Sequence, residues 1–352
     1  MSVTSLAGGI GLGLQTAKGT VQGTIVYVPA TQVDLNFEQN ANPYPFEVGG
    51  DYWQKDSYKS SVMGAGGFDA LARPDTIGYM LKAFFGSCQT TAGPEAGTYE
   101  HLFTGRRAAN GTWGGDGMIP WVTLVKNLAG KMAEQHSDAR CASCRLNYPT
   151  ANLVNYNASF VAALPEEVAV PPAMVFDADP AFNTCTGLVT VGEAGGATYD
   201  RTDPTNGNNA KATAITIDLQ NQLSTDEFSI GSYYLDDVTL MSKSAAVTYD
   251  LIMRDAGLWR EVYRNGAAGV GAWDPALFSG QLTVRSETAK PLTGTTKGSL
   301  EVFMPKLDYL ALPTGLSGNE LVRISLRSQL TQGDALAPIE IRLVNSVATY
   351  PD

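Results

Sequence analysis

GAGGFDALARPDTIGYMLKAFFG, residues 64–86, carries a change of period that decides the fold class. Its first part continues a strand-like run that begins near Ser57. Pro74 and Asp75 then open a helix: proline suits the first helical position, and an acid there complements the helix dipole. Ile77, Met80, Leu81, Phe84 and Phe85 fall on one face at helical spacing, and Gly86 stands where a C-terminal cap belongs. A lone amphipathic helix in a strand-rich chain must bury that face, so the stripe predicts a helix packed on a sheet.

Around this stretch, period-two alternation of Val33, Leu35 and Phe37 predicts a strand within 25–38, and 57–72, 119–128 and 139–163 also read as strands. Residues 1–24 are rich in Gly, Thr and Gln and predict a flexible arm or a lead-in strand; Gly8–Gly13 favours the mobile arm. Pro165, Glu166, Glu167, Pro171 and Pro172 mark a boundary. The division is an arm at 1–24, one domain at 25–165, a linker at 166–182 and a second domain at 183–352.

The second half repeats the plan of the first. Val33-Asp34-Leu35 matches Ile217-Asp218-Leu219, and Phe46-Glu47-Val48-Gly49 matches Phe228-Ser229-Ile230-Gly231. Strands 57–72 and 242–253 follow. Met80/Leu81 and Phe84/Phe85 then match Leu258/Trp259 and Val262/Tyr263, flanked by Asp75 and Gly86 in one half and Asp255 and Gly266 in the other. Val122–Val125 and Leu282–Arg285 come next in the same order. The fold expected is all-β with minor α: two tandem β-sandwich or barrel domains, each with one flanking helix.

Composition narrows the function. The chain has 352 residues, 44% of them hydrophobic and only 17% charged, with 37 Gly and 18 Pro. That mix suits strands joined by many turns, and low charge suits a surface covered by other copies. A net charge of -11 gives no basic stripe for gripping phosphates. No window of 18 uninterrupted apolar residues exists, so no membrane helix is expected, and the N-terminus lacks the pattern of a signal peptide.

Catalytic constellations are scarce. Cys141-x-x-Cys144 with His136 nearby invites a zinc reading, but a second CxxC is absent and His101 is the only other histidine. In a regular strand, positions i and i+3 also point to opposite faces. No Ser lies in a G-x-S-x-G elbow, no carboxylate pair is singled out by spacing, and the Gly8–Gly13 run lacks a P-loop lysine. No catalytic residue, metal or cofactor is expected. A β-sandwich carbohydrate-binding or carbohydrate-active module is the alternative class.

Two stretches carry a family resemblance. One is Lys59–Ser61, Gly64–Phe68 and Arg73–Gly86, followed by Tyr99-Glu100-His101-Leu102-Phe103. The other is Glu301–Asp308, Leu316–Val322 and Pro338–Asn345. Together they resemble the strand-then-helix segment and the closing strands of major tail tube proteins of long-tailed, non-contractile phages.

The resemblance implies a structural virion protein of the siphovirus type, assembled in the host cytoplasm and located in the tail. Its subunits would form stacked rings whose inner strands join into a tube-lining β-barrel, through which phage DNA passes without specific binding. Single-domain relatives form six-fold rings, so two domains per chain imply trimeric, pseudo-hexameric rings. The alternative is a six-fold ring of one barrel domain with a peripheral second domain. Partners implied are copies of the chain and the tape-measure, terminator and distal tail proteins, with no membrane. The long loop in each half, Gln39–Asp56 and Thr225–Leu240, would reach the adjacent ring. Asn42, Tyr44, Phe46, Tyr52, Trp53, Phe228, Tyr233 and Tyr234 are the contact candidates. Asp34, Glu38, Asp218, Asp226 and Glu227 are the lumen-facing candidates.

Overall fold

The computed structural model describes residues 8–46, 50, 53–54, 56–105, 119–169, 174–193, 198–200, 211–252, 257–264, 279–311, 323–331 and 337–351. In the first half the elements are β1 (Gly9–Leu14), β2 (Val26–Val28), β3 (Ala30–Val33), β4 (Asn36–Pro43), β5 (Ser57–Leu71), α1 (Pro74–Phe85), β6 (Gln89–Ala92), β7 (Tyr99–Thr104), β8 (Val122–Leu128), β9 (Met132–Pro149) and β10 (Asn155–Val168). In the second they are β11 (Phe182–Glu193), β12 (Thr198–Asp200), β13 (Lys211–Leu223), β14 (Leu240–Ile252), α2 (Gly257–Arg264), β15 (Ser279–Thr293), β16 (Thr296–Ala311), β17 (Arg323–Leu330) and β18 (Glu340–Asn345).

One antiparallel path of ladders runs β4–β5–β10–β9–β13–β14–β17–β16–β15–β11–β12. Three branches leave it. β3 pairs with β5; β8, β1 and β2 continue from β9; and β18, β7 and β6 continue from β16. Branching at β9 follows from its length. β10 fills one edge, and the other is shared between β8 at Met132–Ala139 and β13 at Ser143–Pro149.

This arrangement corrects the expected fold. The two halves are not separate tandem sandwiches or barrels: β9 pairs with β13 and β7 pairs with β18, so a single large sheet crosses from one half to the other. Among the described strands no ladder returns to close a ring, so the chain forms no barrel wall. The readings that depended on such a wall fall with it: the tube-lining barrel, the trimeric pseudo-hexameric ring and the DNA conduit. The reason lies in the sequence pattern itself. Alternation fixes which face of a strand is buried but not which strand lies beside it.

The core is shared in the same way. Phe68, Phe103, Leu146, Phe160, Ile217, Tyr249, Val302 and Leu343 are all fully buried in one cluster drawn from both halves. Burying such a side chain contributes roughly 1.5–3 kcal/mol, so a continuous core makes each half depend on the other.

α1 forms where the period changes. Pro74 stands in its first turn, Asp75 accepts hydrogen bonds from the Ser346 amide and hydroxyl, and Gly86 ends it in the left-handed region at φ 81. Nearly every residue of α1 is buried. Gly78 allows this: a Cβ there would lie 1.7 Å from the Tyr350 hydroxyl. α2 is shorter; Val262 enters the core, whereas Trp259 is 37% exposed. Asp255 and Gly266, matched to the ends of α1 by sequence, lie outside the described residues.

Two local readings are revised. Within the stretch expected to be a mobile arm, Gly9–Leu14 is β1, held between β2 and β8. Ile10, Leu12 and Leu14 enter the core, while Gly11 lets β1 lie against Ile25 and Tyr27. Cys141 and Cys144 share one face instead of opposing ones. A bulge sets Ser159 against Ser143 and Phe160 against Cys141, skipping Ala142, and the extra residue reverses the alternation.

Candidate association surface

β4 and β5 make a hairpin that leaves the sheet as an arm. β5 pairs with β10 only from Leu71 back to Gly64; from Met63 to Ser57 its ladder partner is β4 alone. Every residue of β4 is exposed. Tyr44 donates its amide to Asp56 O at 2.9 Å, so the chain stays paired beyond the strands. β4 thus absorbs residues 39–43 of what reads as a long loop from 39 to 56.

The arm carries exposed aromatics. Tyr44, Phe46, Trp53 and Tyr58 project to solvent, with Trp53 83% exposed, and the Tyr44 and Tyr58 rings lie 5.5 Å apart. Asn42 is exposed in β4; Tyr52 lies outside the described residues. The 225–240 loop of the second half meets the base of the arm: Val62 donates its amide to Tyr233 O at 2.7 Å and bridges Tyr234. Phe228, Tyr233 and Tyr234 are exposed around that contact, and Leu235 and Val238 anchor the loop in a small cluster with Ala163 and Trp121. The structure therefore brings the 225–240 loop to the base of the β4–β5 arm at Val62. Exposed Phe37, Tyr58 and Ile230 belong to the same two segments and were missed in the sequence; Phe37 alternates with Leu35, which made both look buried.

The acidic candidates are dispersed among local partners. Asp34 Oδ1 accepts the Gly67 amide at 2.7 Å, beside Gly66 at φ 119. Asp218 pairs with Arg145 at 2.9 Å across the β9–β13 ladder. Asp226 accepts the Ser224 hydroxyl at 2.8 Å, and the backbone carbonyl of half-buried Glu227 accepts the Asp236 amide. Glu38 is exposed on β4.

The conventional catalytic groups are buried and structurally engaged. His101 Nε2 lies 2.9 Å from both Asn345 Oδ1 and Val347 O, so it donates to them, leaving Nδ1 to accept from the Thr90 hydroxyl at 2.9 Å. Burial lowers its pKa, against the opposing effect of those hydrogen bonds. The Cys141 and Cys144 thiols lie in the core, where burial pushes both upward, Cys144 to about 12. No group of three His, Cys, Asp or Glu suited to a metal ion occurs among the described residues.

No protein-family model and no curated protein matches this chain. The surface must therefore be read from its own geometry.

That geometry contains an internal comparison. The sequence repeat sets Val33–Leu35, between β3 and β4, with β5 and α1 against Ile217–Leu219 of β13 with β14 and α2. β13 is paired on both edges, by β14 and by β9, only over Ala214–Gln220; Asn221–Leu223 pair with β14 alone. β4 is paired on one edge, by β5, and among the described residues nothing occupies the other.

Proposed function

We propose that this chain is a non-catalytic structural protein that associates with copies of itself by sheet extension. The observation that carries the reading is the open edge of β4: β5 pairs one edge, and among the described residues no ladder occupies the other. An open edge offers a row of unpaired amides and carbonyls to another strand. Natural edges are usually blocked by charge, yet Glu38 is the single ionisable residue of β4. The β9–β13 ladder supplies a model for the missing contact. β4 of one copy would pair along its open edge with an edge strand of the next. The exposed aromatics of the arm suit the reading, since Tyr, Trp and Phe are enriched in interfaces.

The resemblance to phage tail proteins adds, as part of the proposal, a virion setting. Sedimentation velocity across a concentration series tests the reading. Association that grows with concentration is expected; a strictly monomeric chain up to its solubility limit contradicts it.

A further inference from the structure

The arm leaves the sheet at Gly64, and what lies beneath that point is a histidine. His136 of β9 is fully buried, and among the described residues neither ring nitrogen has a hydrogen-bond partner. Gly64 lies so close that a Cβ there would be 2.4 Å from His136 Nδ1. From β4, the Phe37 ring covers the imidazole edge-on, with centroids 4.8 Å apart. A neutral imidazole always carries one N–H, so this pocket holds a buried unsatisfied donor, a feature that calls for an explanation.

We infer that His136 is a pH-sensitive latch for the β4–β5 arm: the neutral ring lets Phe37 and Gly64 close over it, and the protonated ring releases them. The latch acts on the surface proposed above and rests on that reading only for its effect on association.

The groups facing His136 set the direction. β4 presents Phe37 and β5 presents Gly64, while Leu124 of β8 and Pro165 of β10 are its register partners, none of them titratable. On β9, Glu134 Oε2 is 3.9 Å from Nε2 and would favour the cation. It is already engaged by Lys126 of β8 at 3.0 Å, whose charge opposes protonation. Lys126 also donates to Leu35 O at 2.7 Å and to Asn36 Oδ1 at 3.1 Å, tying the same cation to the base of the arm. Burial, reinforced by Lys126, lowers the pKa from 6.5 to about 4.

With the arm released, the ring regains water and an ordinary pKa. Above about pH 6.5 the ring is neutral in both states and the docked arm bears no penalty. As pH falls from there towards 4, the released state takes up the proton first and gains population, by a factor on the order of 100 at pH 4.

Hydrogen exchange of the monomeric protein, corrected for intrinsic rates, tests the latch. Protection of amides in 36–63 should fall on the order of 100-fold from pH 7 to pH 4 relative to β8 and β9, and His136→Leu should abolish that dependence. An arm whose protection does not change with pH overturns the inference, as does His136→Leu behaving like the unmodified chain. If the variant does not fold, imidazole resonances of the unmodified protein decide: titration of His136 near its ordinary value with the arm still protected overturns it. A chain that never associates but shows this pH response loses the proposed function and keeps the latch. An associating chain with a pH-insensitive arm loses only the latch.

Discussion

Lys243 of β14 places its Nζ 3.1 Å from the carbonyl oxygen of Phe84, so a strand of the second half caps the C-terminus of the helix of the first. The last carbonyls of a helix lack internal partners and carry the negative end of its dipole, and a cation there satisfies both. Phe85 O lies 3.4 Å from the same ammonium. Asn221 of β13 adds a donor, its Nδ2 2.9 Å from Cys141 O and 3.3 Å from Phe84 O. The contact is the single sheet seen at the scale of one helix end.

Lys243 should titrate far below an ordinary lysine. Burial lowers its pKa from 10.5 to about 8. From about pH 10.5 down to 8 the unfolded chain takes a proton that the folded chain resists, so this residue makes stability fall as pH falls through that window and stay level below it. Isotope-labelled dimethyl-lysine resonances should show one amine titrating near 8, and Lys243→Met should flatten its part of the stability profile. A Lys243 resonance titrating with the exposed lysines would refute the burial argument.

Asn221→Leu should destabilise the fold by about 1–3 kcal/mol, because it strips buried carbonyls of a donor. Urea denaturation measures it. A change within a few tenths would mean that those carbonyls find other partners.

The β9–β13 junction separates apolar from ionic contributions. Leu146 and Ile217 are register partners and both fully buried. Ile217→Ala should cost about 2–5 kcal/mol. Asp218→Asn, one residue away, should cost under about 1 kcal/mol, because Arg145 is 52% exposed and water screens the pair. Equal effects in denaturant melts would show that the junction is not held by its core.

Thiol labelling tests the bulge at Ala142. Cys185 is exposed and should react in the native protein. Cys141 and Cys144 are buried with thiols shifted upward, so both should react only on unfolding. Native labelling of either would place it on an outer face, as a regular strand requires.

The sequence made some of this legible. The helical stripe from Ile77 to Phe85 with Pro74 and Gly86 at its ends specifies α1, because periodicity and capping are local. The exposed aromatics Tyr44, Phe46 and Trp53 stand out because they sit in a polar, Pro-containing stretch. Strand neighbours did not emerge. Nothing within Ser143–Pro149 says that its partner lies in β13 rather than in the same half. A one-residue bulge leaves no mark in composition, so Cys141 and Cys144 read as lying on opposite faces. His136 was noticed only as a neighbour of two cysteines, since its pocket is built by Phe37 and Gly64, which are far away in the chain.

The most direct test of sheet extension is sedimentation of the full chain beside a variant lacking residues 40–55, with circular dichroism to confirm that both fold. The account predicts concentration-dependent association of the full chain and a folded variant that stays monomeric. Equal association of both would contradict it.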